Sequence, residues 1–131
     1  MLIIPNIFIV EDDVSIQELY INVLTRLGFN IVGVANDGVE AVNIYQQLPE
    51  EPDIVLMDYQ MPIKNGLEAT KELLKLNDNL KIIFISAHPY IKELALSLGV
   101  VYFLDKPFDL EELINSINNV LEPSLEEPKQ L

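Results

Sequence analysis

Four apolar runs in this 131-residue chain are followed at once by residues that can do chemistry. Ile7–Val10 leads into Glu11, Asp12 and Asp13, and Ile54–Met57 into Asp58. Ile82–Ile85 leads into Ser86, and Val100–Leu104 into Asp105, Lys106 and Pro107. If these run ends meet in space, they gather several carboxylates, one hydroxyl and one ammonium. Carboxylates in close contact repel by about 4 kcal/mol per pair at an effective dielectric near 20. A bound cation relieves that repulsion, and an all-oxygen donor set suits Mg2+, or Mn2+, with water completing the octahedron. An oxygen nucleophile, a metal, an ammonium and a hydroxyl are together what phosphoryl transfer needs around its developing charge.

The elements between these runs explain how the ends could meet. A fifth apolar run, Ile31–Ala35, lies between the first and second of the four. All five are short, rich in Ile, Val and Phe, and mostly without polar alternation, as expected of parallel strands covered on both faces. Helical patterns separate them. In the first, Ile16, Leu19, Tyr20, Val23, Leu24 and Leu27 form a stripe that Gly28 terminates. The second spans Val39–Leu48, after an Asn36-Asp37-Gly38 turn and before Pro49 and Pro52; the third spans Leu67–Leu76. The fourth opens near Pro89 and ends at Gly99, and the last starts at Asp109 with Glu112 as its capping-box partner and fades by Leu121. Five β-α units in succession predict a doubly wound five-stranded parallel α/β sheet with helices on both faces. In such a sheet every strand's carboxyl end emerges on one edge, where ligands bind.

Composition bounds the rest. Domains run to roughly 100–200 residues, so a single domain over 1–122 is expected, with the acidic, Pro-bearing 123–131 as a tail or linker start. With 21 acidic against 8 basic residues the formal charge is −13, which disfavours phosphate backbones and anionic lipid as direct partners. No Cys is present, which excludes disulfides, Cys-ligated zinc and thiol catalysis and agrees with a cytoplasmic setting. The apolar Met1–Val10 contains Pro5, lacks a basic flank and is far short of the ~20 residues that cross a bilayer, so neither a signal peptide nor a membrane span is expected.

The spacing also carries a family resemblance. Glu11-Asp12, then Asp58-Tyr59-Gln60-Met61-Pro62-Ile63-Lys64-Asn65-Gly66, then Ser86-Ala87, then Lys106-Pro107-Phe108 resembles the receiver domain of two-component response regulators, across Ile7 to Leu121. The resemblance implies sheet order 2-1-3-4-5, and a stand-alone chemotaxis-type or sporulation-relay-type receiver. It implies that Asp58 accepts a phosphoryl group, and that Asp12 ligates Mg2+ directly, Glu11 mainly through water and Gln60 through its backbone carbonyl. Lys106, followed by a cis bond to Pro107, would pair with the phosphoryl group, and Ser86 would hydrogen-bond it. Phe103 would be the aromatic switch that turns inward, biasing the face formed by the fourth helix, fifth strand and fifth helix. The implied partners are a sensor histidine kinase or histidine phosphotransfer domain and a downstream effector or output domain. The implied assembly is a monomer or a weak phosphorylation-dependent dimer. In this reading the chain is a signalling switch rather than an enzyme, catalysing only its own phosphorylation and dephosphorylation.

Other readings stand beside these. Asp13 reads as a helix N-terminal acid. His88, before Pro89, reads as a helix-entry residue, and the resemblance places it with Gln60 at the mouth of the site, where the pair would set the lifetime of the phosphorylated state. Val14 and Ile21, opposite the helix stripe, are an exposed apolar pair suited to docking a phosphodonor. A Mg2+-dependent aspartate-nucleophile phosphatase would need an acid where Gln60 stands. A flavodoxin-like nucleotide carrier would need a phosphate-binding loop where Glu11-Asp12-Asp13 stands. The remaining rival is a receiver-like interaction module that is never phosphorylated.

Overall fold

The computed structural model describes residues 4–122. The predicted tail 123–131 lies outside the described residues. Five strands, β1 (Asn6–Val10), β2 (Asn30–Ala35), β3 (Ile54–Asp58), β4 (Ile82–Ser86) and β5 (Tyr102–Asp105), form one parallel sheet in the order β2-β1-β3-β4-β5. The helices between them are α1 (Val14–Arg26), α2 (Gly38–Gln47), α3 (Gly66–Leu76), α4 (Lys92–Leu98) and α5 (Leu110–Leu121). The expected doubly wound α/β architecture is therefore the observed one.

Alternate residues of the strands feed two cores. Phe8, Val10, Val55, Met57, Ile82 and Phe84 pack with Ala41, Ala69, Leu73 and Ala95 on the side of α2, α3 and α4. Ile7, Ile9, Ile54, Leu56, Ile83 and Ile85 pack with Tyr20, Leu24, Leu113 and Ile117 on the side of α1 and α5. Burial on both faces is why the central strands read as unbroken apolar runs.

Helix ends obey local chemistry. Asp13 caps α1, its side chain accepting from the N–H groups of Ser15 and Ile16, as its sequence position suggested. Asn65 with Glu68 and Asp109 with Glu112 form reciprocal capping boxes on α3 and α5. Gly99, at φ 117°, closes α4 in the left-handed region.

Three sequence expectations shift. The helical stretch at Pro89 opens as a 3₁₀ turn, Pro89–Ile91, before α4 begins at Lys92. Leu19 and Leu27 of the α1 stripe are exposed, because the core facing this helix is filled by Tyr20 and Leu24. Ile21 is partly buried against the same core while Val14 is 58% exposed, so these two do not form a joint surface patch. The exposed apolar residue of α1 that has companions is Leu19, which with Ile16, Pro107, Phe108 and Leu110 lines a groove of about 580 Å³.

Candidate functional site

The carboxyl ends of β1, β3, β4 and β5 deliver their residues to one edge of the sheet. Asp58 is the last residue of β3, paired in register with Ile85, and Ser86 pairs with Asp105 at the end of β4. Glu11 follows β1, its N–H donating to Ala35 O at 3.0 Å, which continues the ladder by one residue. Glu11, Asp12 and Asp58 each place a carboxylate oxygen so that all three lie within 4.8 Å of one another. Lys106 Nζ donates to Asp58 Oδ1 at 2.7 Å.

The electrostatics follow from burial. Glu11 and Asp58 are buried while Asp12 is exposed. Burial, with Asp58 close by, pushes the Glu11 carboxyl up to about 7, against the hydrogen bond it accepts from Asp13 N–H and the pull of Lys106. Burial also raises Asp58; Lys106 pulls it back and Asp12 adds to the rise. Burial works against the Lys106 ammonium, yet its partner Asp58, with Glu11 and Asp12, holds its pKa above the usual lysine value. Three acids share one ammonium, so negative charge is in excess. The donor set fits a hard divalent cation: oxygen only, clustered, with one ligand open to solvent for retained waters.

Neighbouring residues complete the edge. Ser86 is buried, and its Oγ accepts the His88 N–H at 2.9 Å. The His88 ring meets Tyr59 edge-on at 5.6 Å and lies 5.4 Å from Tyr90. Gln60 is exposed and shares a pocket wall with Asp12, Tyr59, Met61, Asn65 and Tyr90. Phe103 is buried and stacked on Phe84, ring centroids 5.9 Å apart, whereas Tyr102 on the opposite face is partly exposed. The Lys106–Pro107 peptide bond is cis.

Two residues near the site were not singled out in the sequence. Gln17, buried on α1, donates from Nε2 to Glu11 O and to Asn36 Oδ1, tying the β1 end to the β2–α2 loop. A polar residue inside the α1 stripe was its only sequence signal. Tyr20 is buried in the core on the α1 and α5 side and lines the groove beside Lys106, and burial, with the negative charge of Glu11 and Asp58, pushes its hydroxyl up.

The response regulator receiver domain model matches residues 7–118 of the chain. This chain belongs to the response regulator receiver family. Among its relatives, the chemotaxis protein CheY of Thermotoga maritima is 36% identical over 118 residues, covering 88% of this chain and 96% of that protein. CheY of Bacillus subtilis is 32% identical, covering 88% of this chain and 97% of that protein. The receiver fold recurs in a chain of the CheX–CheY–BeF3–Mg2+ complex of Borrelia burgdorferi, with TM-score 0.84, 30% identity and 89% of both chains covered. It recurs also in response regulator TrrA of Thermotoga maritima in complex with Mg2+-BeF, with TM-score 0.79, 27% identity and 89% and 99% of the two chains covered. Receivers are signalling switches, and among the described residues of this one no helix is long and apolar enough to cross a membrane.

Proposed function

We propose that this receiver takes a phosphoryl group from a phosphohistidine onto Asp58, in the cytoplasm, as a step of a two-component relay. The observation that carries the reading is the 2.7 Å contact of Lys106 with the buried Asp58, beside two further acids within cation-binding reach. An oxygen of Asp58 attacks phosphorus while the N–P bond of the donor breaks. The electron pair stays on the imidazole nitrogen, and an acyl phosphate forms on Asp58. Lys106, already paired with the acceptor, neutralises charge on the arriving group. Ser86 accepts from His88 N–H and keeps its own O–H proton for a phosphoryl oxygen.

Glu11, Asp12, Asp58 and the Gln60 carbonyl are the groups that would hold the metal, with Glu11 acting mainly through water. When bound, Mg2+, for which Mn2+ can substitute, screens the acids and stabilises the equatorial phosphoryl charge. Mg2+ in the named complexes of two similar chains supports this assignment.

The histidine-bearing partner, a sensor kinase or histidine phosphotransfer domain, docks on the groove of Ile16, Leu19, Pro107, Phe108 and Leu110, which opens beside Lys106. Phosphorylation shifts the population of the α4–β5–α5 face, which carries exposed Leu94, Val101 and Tyr102, toward an effector or output domain. The receiver itself stays a monomer or a weak phosphorylation-dependent dimer. Incubation with acetyl phosphate and Mg2+ tests the core of the reading by mass spectrometry. A gain of about 80 Da that Asp58→Asn abolishes is expected. No gain in the native protein would favour an interaction module that does without phosphate.

A further inference from the structure

The groove between α1 and the β5–α5 loop is apolar along most of its wall, where Leu19, Pro107, Phe108 and Leu110 stand. Three polar side chains share that wall: Tyr20, Lys106 and Asp109. Two of them are committed elsewhere. The Lys106 ammonium pairs with Asp58 at 2.7 Å, and Asp109 Oδ1 accepts the Glu112 N–H at 2.8 Å to cap α5.

Tyr20 is not. Only 3% of this residue is exposed, yet its hydroxyl bonds no other group among the described residues. Among those residues, Thr70 Oγ1 is the one side-chain polar atom that is both unbonded and sealed from solvent. The Tyr20 hydroxyl therefore keeps access to water, and the surface on which Tyr20 opens is the groove. A tyrosine packed this deeply ordinarily gives its O–H a partner, because an unpaired buried hydroxyl costs stability that phenylalanine would not. Burial and the nearby acids push the hydroxyl's pKa up, so it stays protonated and available as a donor.

We propose that Tyr20 is a specificity-determining residue for the phosphodonor: its O–H donates to an acceptor oxygen of the histidine-bearing partner seated in the groove. The inference rests on the docking reading given above for that groove. The partner's apolar side chains cover Leu19 and Phe108 and drive water from the groove floor. Once the water is gone, a partner that brings an acceptor satisfies the hydroxyl, and one that brings only apolar atoms strands it. Affinity comes from the apolar wall, and discrimination from the single hydroxyl within it. A small donor does not cover the groove and is indifferent to Tyr20.

The test is Tyr20→Phe in the full chain, which removes the hydroxyl and keeps the ring. Two donors are compared with Mg2+ present. One is phosphoimidazole, which carries the N–P bond without a protein. The other is the radiolabelled histidine kinase that transfers fastest to the native chain among the kinases of its own organism. Tyr20→Phe is expected to lower kcat/KM from that kinase about three- to tenfold, through KM. The phosphoimidazole rate is expected to hold, and stability in urea to equal or exceed the native value, since no internal bond is lost. The rate ratio between that kinase and the next fastest is expected to fall. An unchanged ratio overturns the inference. So does an equal loss with both donors or a loss of stability, either of which marks a structural role. Leu19→Glu, read with the same kinase, separates the two readings. If it slows transfer and Tyr20→Phe does not, the inference fails and docking on the groove stands. If neither variant slows transfer, the docking reading fails and takes the inference with it. A native chain that no kinase labels overturns both.

Discussion

Neutralising the phosphoacceptor should make this protein more stable in the absence of metal. With the carboxylate oxygens within 4.8 Å of one another, Asp58 when all three are ionised meets Glu11 and Asp12 at no less than about 3.5 kcal/mol of repulsion each for an effective dielectric near 20. Lys106 at 2.7 Å offsets about 6 kcal/mol of this by the same rule, and less in practice because its side chain is 32% exposed. Attraction and repulsion nearly cancel, so the burial of an ionised carboxylate at 4% exposure is left uncompensated. Asp58→Asn removes that burden at almost constant volume and should raise unfolding stability by about 1–3 kcal/mol in EDTA.

The pH dependence has the same origin. Glu11 and Asp58 hold protons more tightly folded than unfolded. The native state therefore binds more protons than the unfolded chain. Stability falls as pH rises from the ordinary glutamate value of 4.5 to about 7 for Glu11. Asp58→Asn should flatten that fall by removing one titrating acid and a like charge beside Glu11. Mg2+ reverses the ranking, since ligand at one hundred times its Kd adds about 2.7 kcal/mol to a protein that binds it only when folded. Urea unfolding with EDTA and with Mg2+, at pH 5.5 and 8, measures all of these. The reasoning fails if Asp58→Asn is the less stable protein in EDTA, or if Mg2+ stabilises both proteins equally.

Mg2+ binding should release close to one proton at pH 6 and almost none at pH 8.5, because Glu11 must ionise as the cation enters; calorimetry in buffers of different ionisation enthalpy counts them. Leu19→Glu should slow phosphotransfer from a histidine-bearing partner about tenfold or more while leaving phosphorylation by acetyl phosphate unchanged, since the groove touches only the larger donor; an equal effect on both donors would dismiss the groove. Gln60→Ala and His88→Ala should change the dephosphorylation rate of the acyl phosphate at native stability, and unchanged hydrolysis in both would remove them from control of its lifetime. Phe103→Ala should cost about 3–5 kcal/mol by emptying the space against Phe84, with Phe103→Leu costing far less; a small loss from Phe103→Ala in urea unfolding would mean that the inward position is weakly held.

Much of the site could be read before the fold was known, for a reason visible in the strands. Each run ends where its chemistry begins, and a parallel sheet puts all carboxyl ends on one edge, so Glu11, Asp12, Asp58, Ser86 and Lys106 converge once the β-α alternation is recognised. Capping residues such as Asp13, Asn65 and Asp109 are equally local, because a side chain that bonds its own backbone two or three residues on needs no distant partner. The order of the strands was not in the apolar pattern; the family resemblance supplied it.

What only the tertiary structure decided lies in contacts between elements distant in sequence. The α1 stripe predicted Leu19 as core and Ile21 as surface, yet Leu19 is exposed beside Pro107 and Phe108, and Ile21 packs inward. A helical period marks an apolar face but not where the neighbouring α5 and the β5–α5 loop leave it uncovered. Gln17 bridging Glu11 and Asn36 was equally invisible, as was Tyr20 in the groove wall beside Lys106. The positive φ of Ile63, and the meeting of Lys64 with Gly38 and Glu72 on two other elements, were likewise absent from the linear pattern. Sequence by itself determined which chemistry arrives at the edge, since residue type and strand period are local. The charge balance there is tertiary: excess acid around one ammonium, and a Glu11 held near neutrality, both arise from distances and burial that a linear pattern does not contain.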